Sequence, residues 1–306
     1  MRKFIGLTKR NLLIYFMDKT AIIFSLLTSL IVLVLYVLFL KGTFESALDS
    51  ALDQAGSIAG LINSKDREAF VNAMLLVGMM GSAMMTVPYS CLTTIVKDRE
   101  NKIDYDISAT PVKRWQIILA YFTSAALSAC IMTGILLTAG LLILSISGGL
   151  SLSAGDVLKA YGTVILGSVS STAVFMTIMQ FFKTSQSSNA FFGLLSAGAG
   201  FVIGAYIPIS SFSDGIQTFC NIFPATHVTV VIRNVLMRGV LDNFDSSIGG
   251  IDNGIFTQAL RDVFSFNARI FGNDLKISAS VIYILAFTLV SCIAMMVIYS
   301  KTYRRN

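Results

Sequence analysis

The stretch Lys97-Asp98-Arg99-Glu100-Asn101-Lys102-Ile103-Asp104-Tyr105-Asp106-Ile107-Ser108-Ala109-Thr110-Pro111-Val112-Lys113-Arg114 holds nine charged residues in eighteen and lies between two apolar runs, 70–96 and 115–147. Hydrocarbon cannot hold so many charges, so the stretch is a water-exposed connection between two membrane spans. Asp98 and Lys102 stand at i,i+4 with the acid first, which favours a short helix. Ile103 and Ile107 place an apolar spot on one side of it. Thr110-Pro111 has the form of an N-cap followed by proline at the first helical position, opening the next span. Two readings fit these residues: a short amphipathic helix that a soluble partner can push, or a solvated loop whose charges only set topology.

Working outward, the 306 residues are 55% hydrophobic and 13% charged, with mean hydropathy +0.74. Soluble domains carry roughly 25% charge, so the composition predicts an all-α integral membrane protein. Residues 1–19 interleave Arg2, Lys3, Lys9, Arg10 and Lys19 with Ile5, Leu12, Leu13 and Phe16, a pattern suited to a helix lying in the interface. The apolar run 20–40 follows with no small-x-small cleavage signal, which reads as a retained span and not a signal peptide. In the polar connection 41–69, Phe44, Leu48, Leu52, Ala55 and Ile62 recur at helical spacing opposite Glu45, Asp49 and Asp53, predicting an amphipathic external helix. Further spans are read at 70–96, 115–147, 156–182, 190–209 and 277–299, six in all, with a turn at 148–155. Between the last two, 210–276 is the longest non-spanning segment. Its apolar pieces 216–223 and 228–237 are too short to cross, so they are external helices or a re-entrant hairpin bent at Pro224. The glycine-rich 242–253 reads as a loop.

Fourteen of the twenty-three Lys and Arg fall on the side that holds both termini, against five of the seventeen acids. By the positive-inside bias that side is cytoplasmic. The net charge of +6 then reflects topology and not nucleic-acid binding. Cys91, Cys130 and Cys292 lie inside apolar runs and Cys220 has no evident partner, so no disulfide framework is read.

No predicted span carries a central ionisable residue, which disfavours ion-coupled carriers and voltage sensors. His227 is the single histidine, and no cluster of His, Asp or Glu is spaced for metal or acid–base chemistry, so no catalytic or metal-binding residue is assigned. The chain contains no Gly-Lys dipeptide and hence no phosphate-binding loop of the G-x-x-x-x-G-K type. No bound cofactor is expected, and any driving energy comes from another subunit or from a gradient.

Met74, Met79, Met80, Met84 and Met85, with Gly78 and Gly81, crowd the second span. Flexible thioethers suit a surface that accommodates varied apolar cargo, and they equally suit ordinary span packing. Pro88 could hinge that span. In the fifth span Ser196, Gly200 and Gly204 recur every four residues, a face for close helix packing or dimerisation, flanked by Phe191, Phe192, Phe201 and Tyr206.

Three stretches together resemble the permease subunit of type-2 ABC exporters. Thr8-Lys9-Arg10-Asn11-Leu12 through Asp18-Lys19 is similar to the family's elbow helix. Asp98-Arg99-Glu100 with Ala109-Thr110-Pro111-Val112 and Arg114 is similar to its coupling segment. Phe223-Pro224-Ala225-Thr226-His227 with Arg233-Asn234 and Met237-Arg238-Gly239 is similar to its external helices. The resemblance implies one permease domain over 1–306, with an elbow at 1–19, a coupling segment at 97–114 and an external segment at 210–276. It implies pairing with a second, identical or related permease in the plasma membrane, and docking of two copies of a separate ABC ATPase that bind ATP and Mg. Lys9, Arg10, Asp98, Arg99, Glu100, Lys102 and Asp104 would then couple to the ATPase. Met79, Met80, Met84, Phe191, Phe192 and Phe201 would line the path of an amphiphilic cargo such as a drug, antimicrobial peptide or lipid, moved outward. The alternative is a gradient-driven channel or carrier that works without an ATPase.

Overall fold

The computed structural model describes residues 2–146, 152–249 and 252–302. Fourteen α-helices and one β-hairpin are present among them. The N-terminal run forms α1 (Arg2–Met17), and Asp18 starts α2 (Lys19–Leu35) by accepting the Ala21 amide at 3.0 Å. Helix α2 does not stop at Leu40: it passes through one π-helical turn, Tyr36–Leu40, into α3 (Lys41–Ala55). As predicted, α3 is amphipathic, with Phe44, Leu48 and Leu52 buried. It ends where Gly56 takes φ +64°, a conformation open to glycine.

Helix α4 (Ser64–Cys91) is the axis of the bundle. Every residue from Ala73 to Tyr89 is buried, and α2, α7 (Arg114–Ile146), α8 (Ala154–Met179), α9 (Ser185–Val202) and α11 (Pro224–Leu236) all pack on it. Glycine lets two of these helices approach. A Cβ on Gly78 would lie 2.5 Å from the Tyr36 ring, and one on Gly167 of α8 would lie 2.5 Å from Val228 of α11. Tyr36 completes the contact by hydrogen-bonding the Gly78 carbonyl and the Ser82 hydroxyl. Outer helices α2 and α14 (Ile277–Thr302) present Leu30, Ile31, Leu289 and Val290 outward, as helices facing hydrocarbon do.

Among the described residues five helices are long and apolar enough to cross a membrane: those built on α2, α4, α7, α8 and α14. The predicted span 190–209 is instead α9, which begins five residues earlier and ends at Val202, because Gly204 takes φ +67° in the turn that follows. Its 18 residues open on the polar Ser185-Gln186-Ser187-Ser188-Asn189, so it falls below the other five in apolar length. In the segment read either as external helices or as a re-entrant hairpin bent at Pro224, α10 (Asp214–Ile222) and α11 meet at 93°, a broken span or re-entrant pair. Counting that pair as one span brings the total to six.

Two ends of the bundle follow. At the end carrying α1, α4 gives way at Leu92, one turn beyond Pro88, to α5 (Thr93–Glu100), and α6 (Ile103–Ala109) follows. The expected Asp98–Lys102 pair does not form, because Lys102 sits at φ +60° and breaks the helix between the two residues. Nor does Thr110 open the next span. Its hydroxyl donates to the Ile107 carbonyl and closes α6, and α7 begins at Arg114.

At the far end, α12 (Arg238–Ile248) occupies part of the predicted loop 242–253, of which 250 and 251 lie outside the described residues. With α3 and α13 (Ile255–Val263) it extends the apolar core to this end, where Phe70 packs against Phe244 and Phe264. A short hairpin of β1 (Ala268–Ile270) and β2 (Asn273–Leu275), in register Arg269 opposite Asp274, is the one departure from the all-α expectation among the described residues. The predicted turn 148–155 lies outside the described residues up to 151, and Ser153 caps α8 beyond it.

Candidate functional site

Four consecutive residues of α5 each reach a different part of the bundle. Lys97 donates to Asp18, the residue joining α1 to α2, at 2.7 Å. Asp98 receives the Arg10 guanidinium of α1 at 2.7 and 3.1 Å and the Tyr121 hydroxyl of α7 at 2.5 Å. Arg99 donates to the carbonyls of Gln180 and Phe182, at 2.9 and 2.6 Å, closing the C-terminus of α8. Glu100 accepts the Ser185 amide at 3.1 Å and the Ser185 hydroxyl at the N-terminus of α9. Carboxylate at a helix start and guanidinium at a helix end both oppose the local helix dipole favourably. The spacing is what a tight helical turn permits: residues one apart point about a hundred degrees apart, so one turn addresses every neighbour.

Electrostatics reinforce the arrangement. The hydrogen bond from Lys97, then the Ala21 amide, holds the Asp18 carboxyl below the usual carboxylate range. The hydrogen bond to Asp98 raises the Arg10 guanidinium further into its charged range.

Asp98, expected at a partner-facing surface, is therefore buried, with 4% of its area exposed. Arg99 and Glu100 are likewise committed to bonds within the chain. Of the other residues read as coupling, Lys9 and Lys102 are exposed and Asp104 is half-buried in the first turn of α6. No residue of α6 is buried, and Tyr105, Asp106 and Ser108 face outward. Ile107 turns the other way, into a groove of about 410 Å³ against α1 lined by Lys3, Leu7, Arg10 and Val112. Lys3 also donates to the Pro111 carbonyl at 3.3 Å.

Beside this hub a cavity of about 580 Å³ opens between α2, α4, α5 and α9. Asp18, Lys97 and Ser185 lie at its polar side, with Tyr89 and Phe192 among its walls. Tyr89 donates to the Ser188 carbonyl at 2.8 Å and stacks on Phe192 at 5.3 Å. Of the residues read as lining a cargo path, Phe192 belongs to this cavity and Phe191 to an apolar groove of about 470 Å³ between α8, α9 and α10. Phe201 is half exposed beside Tyr206. Met79, Met80 and Met84 line neither, being buried in the axis of the bundle, while Met85 of the same helix lies in the wall of the apolar groove. Tyr89 and the polar start of α9 were missed, although the run Lys183–Asn189 directly before Phe191-Phe192 carries the signal.

The small-residue face of the fifth span also resolves differently. Gly200 is filled by Tyr206 of the same chain, 2.3 Å from where a Cβ would stand, and Gly204 lies outside the helix. Ser196 donates to the Gly193 carbonyl of its own helix. The open small residues of α9 are instead Gly193 and Gly198, which have no neighbour within 4 Å of a Cβ. Among the described residues no group of three or more His, Cys, Asp or Glu is placed to hold a metal ion.

A family model described as ABC-2 family transporter protein matches residues 49–300, from the middle of α3 to the last turn of α14. No curated protein matches the chain.

Proposed function

Since the chain belongs to the ABC-2 family of transporter proteins, we propose that it is the membrane-spanning subunit of an ATP-driven exporter, a single permease domain that works as a pair. Each copy docks a separate ATPase, which holds the ATP and Mg. On this reading α2, α4, α7, α8 and α14 cross the membrane, α9 with the turn after it makes the sixth crossing in place of the α10–α11 pair, both termini are cytoplasmic, and the α1 end faces the ATPase. The basic side of the charge distribution supports that orientation.

The observation that carries the reading is the hub at Lys97–Glu100. A motor pushing on the exposed face of α6 displaces α5, and α5 is bonded directly to α1, α7, α8 and α9. Packed elements joined this way move as bodies and do not deform locally. Asp98, Arg99 and Glu100 are accordingly transmitters behind the docking surface, with Tyr105 and Asp106 of α6 and the exposed Lys9 and Lys102 nearer the partner. The cavity between α2, α4 and α9 receives an amphiphile, polar groups toward Asp18 and Lys97 and apolar parts against Tyr89 and Phe192.

The test separates docking from transmission. Replacing Tyr105 and Asp106 by Ala should abolish co-purification of the ATPase, whereas Asp98→Ala should retain the complex and lose cargo-stimulated hydrolysis. Transport by the chain alone in vesicles free of any ATPase overturns the proposal.

A further inference from the structure

At the far end of the bundle, remote from the hub, a polar cavity of about 300 Å³ opens between α10, α13 and the β-hairpin. Its chemistry is set by Gln217, Asn221, Arg261, Asp262, Arg269 and Asp274. Two cationic and two anionic side chains therefore share one small chamber. Asn221 is 1% exposed; its amide nitrogen donates to the carbonyls of Gln217 and Arg269, both at 2.9 Å, which fixes its orientation. Its Oδ1 is left as a buried acceptor with no partner among the described residues. A buried unpaired acceptor is costly, and a native structure keeps one where something else supplies the donor.

The positive side is equally incomplete. Arg233 lies behind the Ser265 segment of the cavity wall, 1% exposed, and donates to the carbonyls of Ser265 and Gly204 with no carboxylate in contact. At the mouth, Arg269 and Asp274 stand 3.7 Å apart, wider than a closed charge-assisted hydrogen bond, and the Arg269 Nε donates to the Gly272 carbonyl at 3.2 Å. Arg261 donates to Asn234 Oδ1 at 3.2 Å, so both lining cations keep neutral partners. An anion alone would face Asp262 and Asp274; a cation alone would face Arg261, Arg269 and the charge of Arg233 behind. A neutral sugar would leave Arg261 and the Arg233 charge behind it without an anionic partner among the described residues.

We propose that this cavity is a binding site for a small zwitterion, its anionic group held by Arg261 and Arg269 and its ammonium by Asn221 Oδ1 and Asp274. Free amino acids and the phosphoethanolamine headgroup of a lipid share that chemistry. The site is independent of the export reading, since it needs neither an ATPase nor a particular membrane orientation.

The test is calorimetric titration of the full purified chain in detergent with L-alanine and with glycerophosphoethanolamine, against acetate, ethylamine, inorganic phosphate and glucose. Saturable binding of at least one zwitterion, weakened roughly tenfold or more in both Arg269→Gln and Asp274→Asn, is the expected result. Which zwitterion binds decides between the free and the lipid source. Both substituted side chains are at the exposed mouth, and an unchanged melting temperature shows that each variant is folded. No saturable binding of either zwitterion, binding of acetate, ethylamine, phosphate or glucose as tight as that of the zwitterions, or zwitterion binding unaffected by both substitutions overturns the proposal.

Discussion

Arg10 and Asp98 are 88 positions apart in the chain and meet in a two-point contact, Nη1 to Oδ2 at 2.7 Å and Nη2 to Oδ1 at 3.1 Å. The contact joins the helix outside the bundle to the end of its central axis. Because the Asp98 side chain is 6% exposed, removing its cation strands a buried carboxylate. Arg10→Ala should cost about 2–3 kcal/mol, just below the range for breaking a fully buried pair, since Arg10 itself is partly solvated. Arg10→Met combined with Asp98→Leu should cost less than the sum of the two single changes, by about 1 kcal/mol or more. Thermal unfolding of the four proteins in detergent measures this, and simple additivity contradicts it.

Arg99 makes a different demand, for reach. Its Nη1 alone lies within 2.9 Å of two carbonyls at the end of α8. A lysine keeps the charge on a shorter side chain, so its ammonium does not reach the point that Nη1 occupies. Arg99→Lys should therefore destabilise by about 1 kcal/mol and speed amide exchange near residues 179–189, with exchange in α7 unchanged. Equal exchange across that turn in both proteins would refute the capping role.

Two glycines separate packing within the chain from packing between copies. Gly78→Val drives a side chain into the Tyr36 ring and should cost about 1–3 kcal/mol through overpacking. Gly193→Val meets open space and should leave the monomer's unfolding unchanged within about 0.5 kcal/mol. If α9 is the face where two permeases meet, the same Gly193→Val protein dissociates on a sizing column while Gly78→Val does not. Loss of monomer stability at Gly193 contradicts the assignment of that face as open.

The contrast between those glycines shows what sequence can and cannot say here. Spans were readable because hydrocarbon imposes a length and a composition on them, and the charged stretch after α4 was readable because it violates both. The bend at Pro224 was legible from one proline between two short apolar runs. The roles of particular residues were not, since a period of four in sequence marks a helix face without naming its neighbour. Gly200 was consumed by Tyr206, six residues on, and the methionines of α4 by the five helices around them. Asp98 and Lys102 had the right spacing for a pair, yet Arg10 and Tyr121, distant in sequence, outcompeted Lys102 for the carboxylate. Tertiary partners override local ones wherever they arrive desolvated.

Acid should act on the Asp18–Lys97 pair in a defined direction. Asp18 has its carboxyl depressed chiefly by the hydrogen bond from Lys97. A depressed group adds stability above its unfolded value, about 3.9, and that contribution disappears as pH falls through the folded value. The pair is partly exposed, so the contribution is about 1 kcal/mol or less. Asp18→Asn keeps an acceptor for the Ala21 amide while losing the ion pair. Its deficit against the unsubstituted protein should stay constant from pH 8 to pH 5 at low salt and close below about pH 4. A deficit that widens in acid would reverse the sign of the argument.

The last prediction concerns cargo and tests the relocation of the path from α4 to the cavity beside α9. Phe192 lines that cavity and stacks on Tyr89, whereas Met80 is fully buried among neighbouring helices. Met80→Leu is nearly volume-conserving and should cost under about 1.5 kcal/mol, leaving the relative rates for different amphiphiles unchanged. Phe192→Ala removes an aromatic wall, so bulky aromatic amphiphiles should lose apparent affinity by roughly tenfold while basal ATP hydrolysis by the complex persists. Tyr89→Phe keeps the wall and frees the Ser188 carbonyl from its hydroxyl partner, which should alter polar cargo more than apolar cargo. The measurement is transport by the reconstituted complex across a series of amphiphiles graded in size and polarity. Should Met80→Leu reorder that series while Phe192→Ala leaves it intact, cargo passes along the buried axis and the cavity at α9 is not its route.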